Sequence, residues 1–124
     1  MFAKFGNREG RYGKRHAPGV MNKTEAAYAE CLEALRLSDK TVVAWKFESI
    51  KFKLAENKCW YSPDFMVLYS DAVMEFVDVK GSGPINEASI VRIKCAAEQF
   101  PYFRFVMEQR MPAKHGGGWK RTEY

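Results

Sequence analysis

One stretch limits what this chain can fold into more than any other: Trp60 to Gly81, WYSPDFMVLYSDAVMEFVDVKG. It reads as two strands joined by a tight turn. Pro63 has no N–H to give to a sheet ladder, so it belongs at the first residues of a strand. Ser62 before it is pushed to extended geometry. Phe65 to Tyr69 is apolar, Ser70-Asp71-Ala72 turns, and Val73 to Val79 is rich in strand formers. Side chains alternate along a strand, so Asp78 and Lys80 share one face. Asp64 joins them only if it lies opposite Asp78, which needs an odd loop such as Ser70–Ala72 or a bulge that corrects the register. One face then carries Asp64, Met66, Leu68, Met74, Phe76, Asp78 and Lys80, and the other carries Phe65, Val67, Tyr69, Val73, Glu75, Val77 and Val79. Both are largely apolar, so other elements should cover the hairpin on both sides. Two carboxylates and a lysine emerging together from a buried scaffold are costly unless a metal or a partner compensates them.

The rest of the chain supplies the covering elements. Residues 1–21 lack periodicity and are rich in Gly and basic residues, which reads as a flexible arm. A helix is expected from about Lys23 to Leu37, with Asn22 as N-cap and Glu25 at the capping-box spacing. Ala27, Cys31, Ala34 and Leu35 form its expected apolar stripe. Thr41 to Leu54 reads as the first strand region, with a phase shift through Glu48, Ser49 and Ile50 that implies a bulge or bend. Ala55 to Lys58 reads as a turn. After the break at Gly81-Ser82-Gly83-Pro84, Asn86 can cap a second helix over Glu87 to Phe100, with Ile90, Ile93, Ala97 and Phe100 as its packing stripe. Phe103 to Gln109 alternates as a last strand, and residues 112–124 read as a second flexible basic segment in which Trp119 could dock.

The pair Pro63-Asp64 followed by Asp78-Val79-Lys80 resembles the PD-(D/E)XK nuclease superfamily, and YSPDF with FVDVKG is similar to a group of small phage-encoded members within it. The resemblance implies an α/β, restriction-endonuclease-like core of helix, three strands, helix, strand. It also implies Mg²⁺-dependent phosphodiester hydrolysis. The expected layout is a basic arm over 1–21, a nuclease core over 22–111 and a basic tail over 112–124.

Charge placement agrees with a polyanion binder. The net charge is +5. The first 21 residues hold Lys4, Arg8, Arg11, Lys14 and Arg15 against Glu9, and the last 13 hold Lys114, Lys120 and Arg121 against Glu123, which leaves the middle near neutral. Aromatic residues among these charges favour nucleic acid over mere solubility, because rings stack on bases. Cys31, Cys59 and Cys95 are odd in number and fit no zinc pattern, so reduced, mostly packed thiols are expected. His16 and His115 lie near the termini, which weighs against a histidine-based site in the core. No apolar run reaches membrane length, and no signal peptide is evident. The expected location is the cytoplasm, that of the host cell if the chain is phage-encoded.

Hydrolysing a phosphodiester needs an activated water and stabilisation of charge on phosphate, which Mg²⁺ supplies when bound by one or two carboxylates with waters and phosphate oxygens. Asp64 and Asp78 are the expected ligands, with the Val79 carbonyl as a further one and Mn²⁺ as a substitute cation. Lys80 is expected to orient or deprotonate the water, or to stabilise the phosphorane. The resemblance adds Glu25 as a third acid completing the metal site, the favoured reading over its capping-box role alone. Arg8, Arg11, Lys14, Arg15, Lys94, Lys120 and Arg121 are the expected nucleic-acid contacts, although a solvated helix face is the simpler reading of Lys94 and of Gln99. Glu48 is read as an exposed strand glutamate, and Trp45, Trp60, Phe103 and Phe105 as core.

The function these readings favour is a Mg²⁺-dependent endodeoxyribonuclease acting on branched DNA such as Holliday junctions, within DNA recombination. One site per protomer and two incisions per junction imply a homodimer. The alternatives are a general or restriction-type DNA nuclease, and a non-catalytic nucleic-acid-binding module.

Overall fold

The computed structural model describes residues 19–124. The expected contacts Arg8, Arg11, Lys14 and Arg15, with most of the N-terminal arm, lie outside the described residues. The remainder is a mixed α/β structure: a five-stranded sheet with one helix on each face and a separate two-stranded hairpin.

Helix α1 spans Lys23–Ala34. It begins as expected, with the Asn22 side chain accepting from the Glu25 N–H at 2.8 Å and Glu25 Oε1 accepting from the Asn22 N–H at 2.9 Å. Its buried residues are Tyr28, Ala29 and Leu32, not the stripe of Ala27, Cys31 and Ala34. Tyr28, Leu32 and Leu35 recur at i, i+4 and i+7 and remove far more apolar surface from water than alanines do. The helix turns so that they face the sheet, and Cys31 is left exposed. Cys59 and Cys95 are half-buried, so the thiols are free as expected but less packed. A π-helical turn, Leu35–Asp39, closes the element on Lys40, whose φ of 57° is left-handed.

Strand β1, Val42–Phe47, pairs antiparallel with β4, Phe65–Tyr69, through a bulge at Val43. The expected long first strand is in fact two. Glu48 takes a φ of 51° and ends β1, and β2, Phe52–Ala55, folds onto β3, Cys59–Tyr61, as a hairpin of its own. The phase shift at Glu48 to Ile50 is therefore a change of sheet.

Strand β5, Met74–Lys80, pairs antiparallel with β4, with Phe65 opposite Val77, Met66 opposite Phe76, Val67 opposite Glu75 and Leu68 opposite Met74. The loop is Ser70-Asp71-Ala72, closed by Tyr69 N–H donating to Val73 O at 3.0 Å. Helix α2, Glu87–Gln99, starts on Asn86, whose side chain accepts from the Ala88 N–H at 2.7 Å. It leads to β6, Arg104–Arg110, which runs parallel to β5.

The C-terminal segment differs from the expected flexible tail. After a short 3-10 turn, Ala113–His115, it forms β7, Trp119–Glu123, antiparallel to β6. Gly116, Gly117 and Gly118 all hold positive φ, a backbone path that side chains resist, and so deliver the strand onto the sheet edge. Trp119 docks edge-on against Tyr28 at 5.2 Å between centroids. Within the five-stranded sheet the order is β1-β4-β5-β6-β7.

Each sheet face has its own core. Tyr28, Ala29 and Leu32 of α1 meet Val42, Phe65, Val67, Val77 and Val79. On the other face, Ile93 and Ala96 of α2 and Phe52 and Tyr61 of the β2–β3 hairpin meet Phe76, Phe105 and Met107. Phe65, Phe76 and Phe105 are fully buried, each contributing roughly 1.5–3 kcal/mol. Phe105 and Phe103 are core as expected, and Trp45 is half-buried, with its Nε1–H donating to Glu33 at 2.9 Å. No helix among the described residues is long and apolar enough to cross a membrane.

Candidate active site

The ladder between β4 and β5 stops at the two aspartates. Paired residues alternate between those that exchange backbone hydrogen bonds and those that do not. Tyr69 and Val73 exchange one, so Val67/Glu75, Phe65/Val77 and then Pro63/Val79 fall in the same class. Pro63 has no N–H, and the pairing is not continued. The Val79 N–H instead donates to Asp64 Oδ2 at 2.7 Å. The Asp64 carbonyl turns the other way and accepts from the Glu48 N–H just past β1 at 2.8 Å. Asp64 is thus clamped through its backbone to one strand and through its carboxylate to the other.

Continued by one residue, the register places Asp64 opposite Asp78, on the face that α2 and the β2–β3 hairpin cover. Asp78 is 6% exposed. Burial pushes the Asp64 carboxyl up to about 8, and the facing Asp78 charge, a hydrogen bond shared with Asp78 and the more distant Glu25 charge push the same way. Only the Val79 N–H opposes them. Two carboxylates held this close cannot both ionise cheaply without a cation between them.

Lys80 is the nearest counter-charge, with Nζ 3.6 Å from Asp78 Oδ2 and 3.2 Å from Ser89 Oγ on α2. These groups open into a cleft of about 640 Å³, bounded by Asn57 to Ser62 on the hairpin side, by Asp64, Asp78 and Lys80 on the sheet, and by Ser89 and Arg92 on α2. Tyr61 reaches in from β3. Its hydroxyl is buried with no hydrogen-bond partner among the described residues. Burial, then the charges of Asp78 and Asp64, raise its pKa, so it stays a protonated donor beside the acid pair.

Glu25 flanks this centre without joining it. Its carboxylate serves the α1 cap, and among the described residues no three His, Cys, Asp or Glu side chains gather closely enough to hold a metal ion. Lys94 is exposed on α2 and does not line the cleft; Arg92 does. Gln99 donates to the Leu54 carbonyl at 2.8 Å, pinning α2 to β2. Glu48 is exposed as expected and accepts from the Gly19 N–H at 2.8 Å. Trp60 is not core: it is 47% exposed and belongs to the cleft wall.

The two C-terminal cations part company. Lys120 pairs with Gln109, which pairs with Lys80, so Lys120 is exposed on the face of the site. Arg121 points to the opposite face and is engaged there. It bonds to Glu75, which is fully buried, and donates to Glu108 Oε2 at 2.8 Å. Arg104 Nε donates to Glu75 at 2.7 Å and the Tyr69 hydroxyl donates to it at 2.9 Å. The sheet therefore holds two pairs of acids, of which Glu75, Glu108 and Asp78 are buried and Asp64 is half-buried. Arginines of the same chain neutralise one; the other has a single lysine.

Tyr61, Ser89 and Arg92 were missed by sequence reasoning. Ser89 and Arg92 are three apart and flank the Ile90/Ile93 stripe, which was a usable signal. Tyr61 lies two residues before Pro63, in a strand too short to be read as one.

The chain matches no protein-family profile, no curated protein and no solved structure.

Proposed function

We propose that this protein is a divalent-metal-dependent endodeoxyribonuclease with a restriction-endonuclease-like core, acting on branched DNA such as four-way junctions. The observation that carries the reading is the register-matched pair of half-buried Asp64 and buried Asp78, with Asp64 held far above the ordinary carboxyl range and Lys80 beside Asp78 in an open cleft. The order α1, β1, β4, β5, α2, β6 supports it, with the β2–β3 hairpin inserted and β7 appended.

The donor set fits Mg²⁺ or Mn²⁺. Asp64 and Asp78 offer hard oxygens, and the Val79 carbonyl lies where Pro63 has no N–H to give it. Mg²⁺ binds through one or two carboxylates and leaves its other positions to water and phosphate, so a third acid is not required. Glu25 then acts through its charge from the first turn of α1. The bound cation supplies neutralisation of the acid pair and polarisation of a phosphate oxygen. Lys80 presents its ammonium to the same phosphate or to the attacking water. Tyr61 donates its free hydroxyl into the site. Arg92 and Lys58 hold the phosphodiester backbone at the cleft mouth. Lys120 extends the cationic face, whereas Arg121 holds the fold. Paired incision of a junction calls for two protomers with one site each.

The test offers end-labelled four-way, three-way, flap, linear duplex and single-stranded DNA, and RNA, with Mg²⁺ or Mn²⁺, beside a light-scattering mass. The expected result is paired nicks near the branch point and a dimer mass, both nicks abolished by Asp78→Ala. Equal degradation of linear duplex would replace this reading with a general nuclease. Tight binding with no cleavage would replace it with a non-catalytic module.

A further inference from the structure

The β2–β3 hairpin has two faces. Phe52 and Tyr61 pack into the core under α2, while Lys53 and Trp60, paired across the strands, are exposed. A tryptophan left 47% exposed on so short a hairpin is unusual, but an isolated exposed apolar residue means nothing by itself. Its surroundings decide the matter. Trp60 is one of the residues that line the cleft holding the acid pair, as are Lys58, Arg92 and Lys80. An exposed aromatic residue and several cations around one cleft is the combination that binds single-stranded nucleic acid, the cations taking phosphates and the ring taking a base. The cleft, at about 640 Å³, falls within the roughly 300–1,000 Å³ of sites that enclose one small molecule. That space suits a nucleotide or two of one strand.

We infer that Trp60 stacks on an unpaired base next to the phosphate lodged at Asp64 and Asp78, so that the cleft selects strands whose bases are free at that point. A paired, stacked base has no face to offer, whereas a flap or an opened branch point does. The inference rests on the nuclease reading and deepens it. Trp60 is a specificity residue that touches substrate away from the reacting atoms.

The experiment measures binding in EDTA, where nothing is cut. Wild type, Trp60→Ala and Trp60→Phe are titrated with a short oligothymidylate, the same oligomer with abasic sites, and a blunt duplex, following intrinsic fluorescence and anisotropy. Wild-type emission should be quenched by the oligothymidylate. Trp60→Ala should lose roughly 5- to 150-fold in affinity for it, Trp60→Phe should recover most of that loss, and duplex affinity should stay within about twofold. The abasic oligomer should bind wild type as weakly as the oligothymidylate binds Trp60→Ala. Unchanged affinity in Trp60→Ala, an equal loss on duplex, or no rescue by phenylalanine would overturn the inference. Base-dependent binding by a wild type that cleaves nothing with Mg²⁺ or Mn²⁺ would instead remove the nuclease reading and leave the stacking site standing.

Discussion

Replacing Asp64 by asparagine should make the metal-free protein more stable, and increasingly so as pH rises. In the unfolded chain the Asp64 carboxyl titrates near 3.8, and in the folded protein near 8, so the fold holds this proton more tightly. Well below pH 3.8 the group is neutral in both states and contributes no difference. Between those values each pH unit withdraws up to about 1.4 kcal/mol of stability, and above the folded value the whole cost is present. Taken literally that is roughly 5–6 kcal/mol; water entering an open cleft screens it, leaving about 2–3 kcal/mol. Asparagine removes the charge and keeps an oxygen for the Val79 N–H. Urea unfolding with EDTA should therefore show Asp64→Asn within about 0.5 kcal/mol of wild type at pH 4.5 and about 2–3 kcal/mol more stable at pH 9. Adding Mg²⁺ at pH 9 should close the gap by stabilising wild type alone. A difference independent of pH, or a less stable variant at pH 9, would refute the reasoning.

Other expectations follow from neighbouring contacts. Lys80→Met should lower cleavage roughly 10²- to 10⁴-fold while calorimetry finds Mg²⁺ affinity unchanged or tighter, because a like charge has left the cation's site. Arg121→Ala should cost roughly 3–5 kcal/mol in urea unfolding, since it strips both Glu75 and Glu108 of a counter-charge. Ala72 holds a φ of 69° in the β4–β5 loop, so Ala72→Gly should raise stability by about 1 kcal/mol in the same assay.

Much of this was legible in the chain. The alternation on either side of Ser70-Asp71-Ala72 fixed which residues share a face, and Asp64, Asp78 and Lys80 fall together as that parity requires. The Asn22 cap and the Ile90, Ile93, Ala97 and Phe100 stripe were equally plain, because helix signals are local. The failures came where a distant partner decides. Residues 112–124 read as a tail because glycines and charges resemble a linker. Only β6 beside them, and Glu75 and Glu108 awaiting Arg121, make that segment a strand. On α1, stripe residues counted by spacing lost to Tyr28 and Leu32, which bury more surface. The β2–β3 hairpin is held by Phe52 and Tyr61 against Phe105, a contact that no sequence window contains. Trp60 was assigned to the core for want of that same contact, which turns its neighbour inward and leaves Trp60 outside.

The three-residue loop between β4 and β5 has a consequence for how this protein can vary. Surface turns ordinarily absorb insertions and deletions. Here the turn is closed by Tyr69 N–H donating to Val73 O, so an insertion that kept so short a loop would slip one strand by a residue against the other and turn one acid to the opposite side of the sheet. In the proposed nuclease, a register slip of that kind at Ser70 to Ala72 would disable the site from the far end of the hairpin, unless a longer loop absorbed the added residue. The length of that turn is thereby tied to the meeting of the two acids.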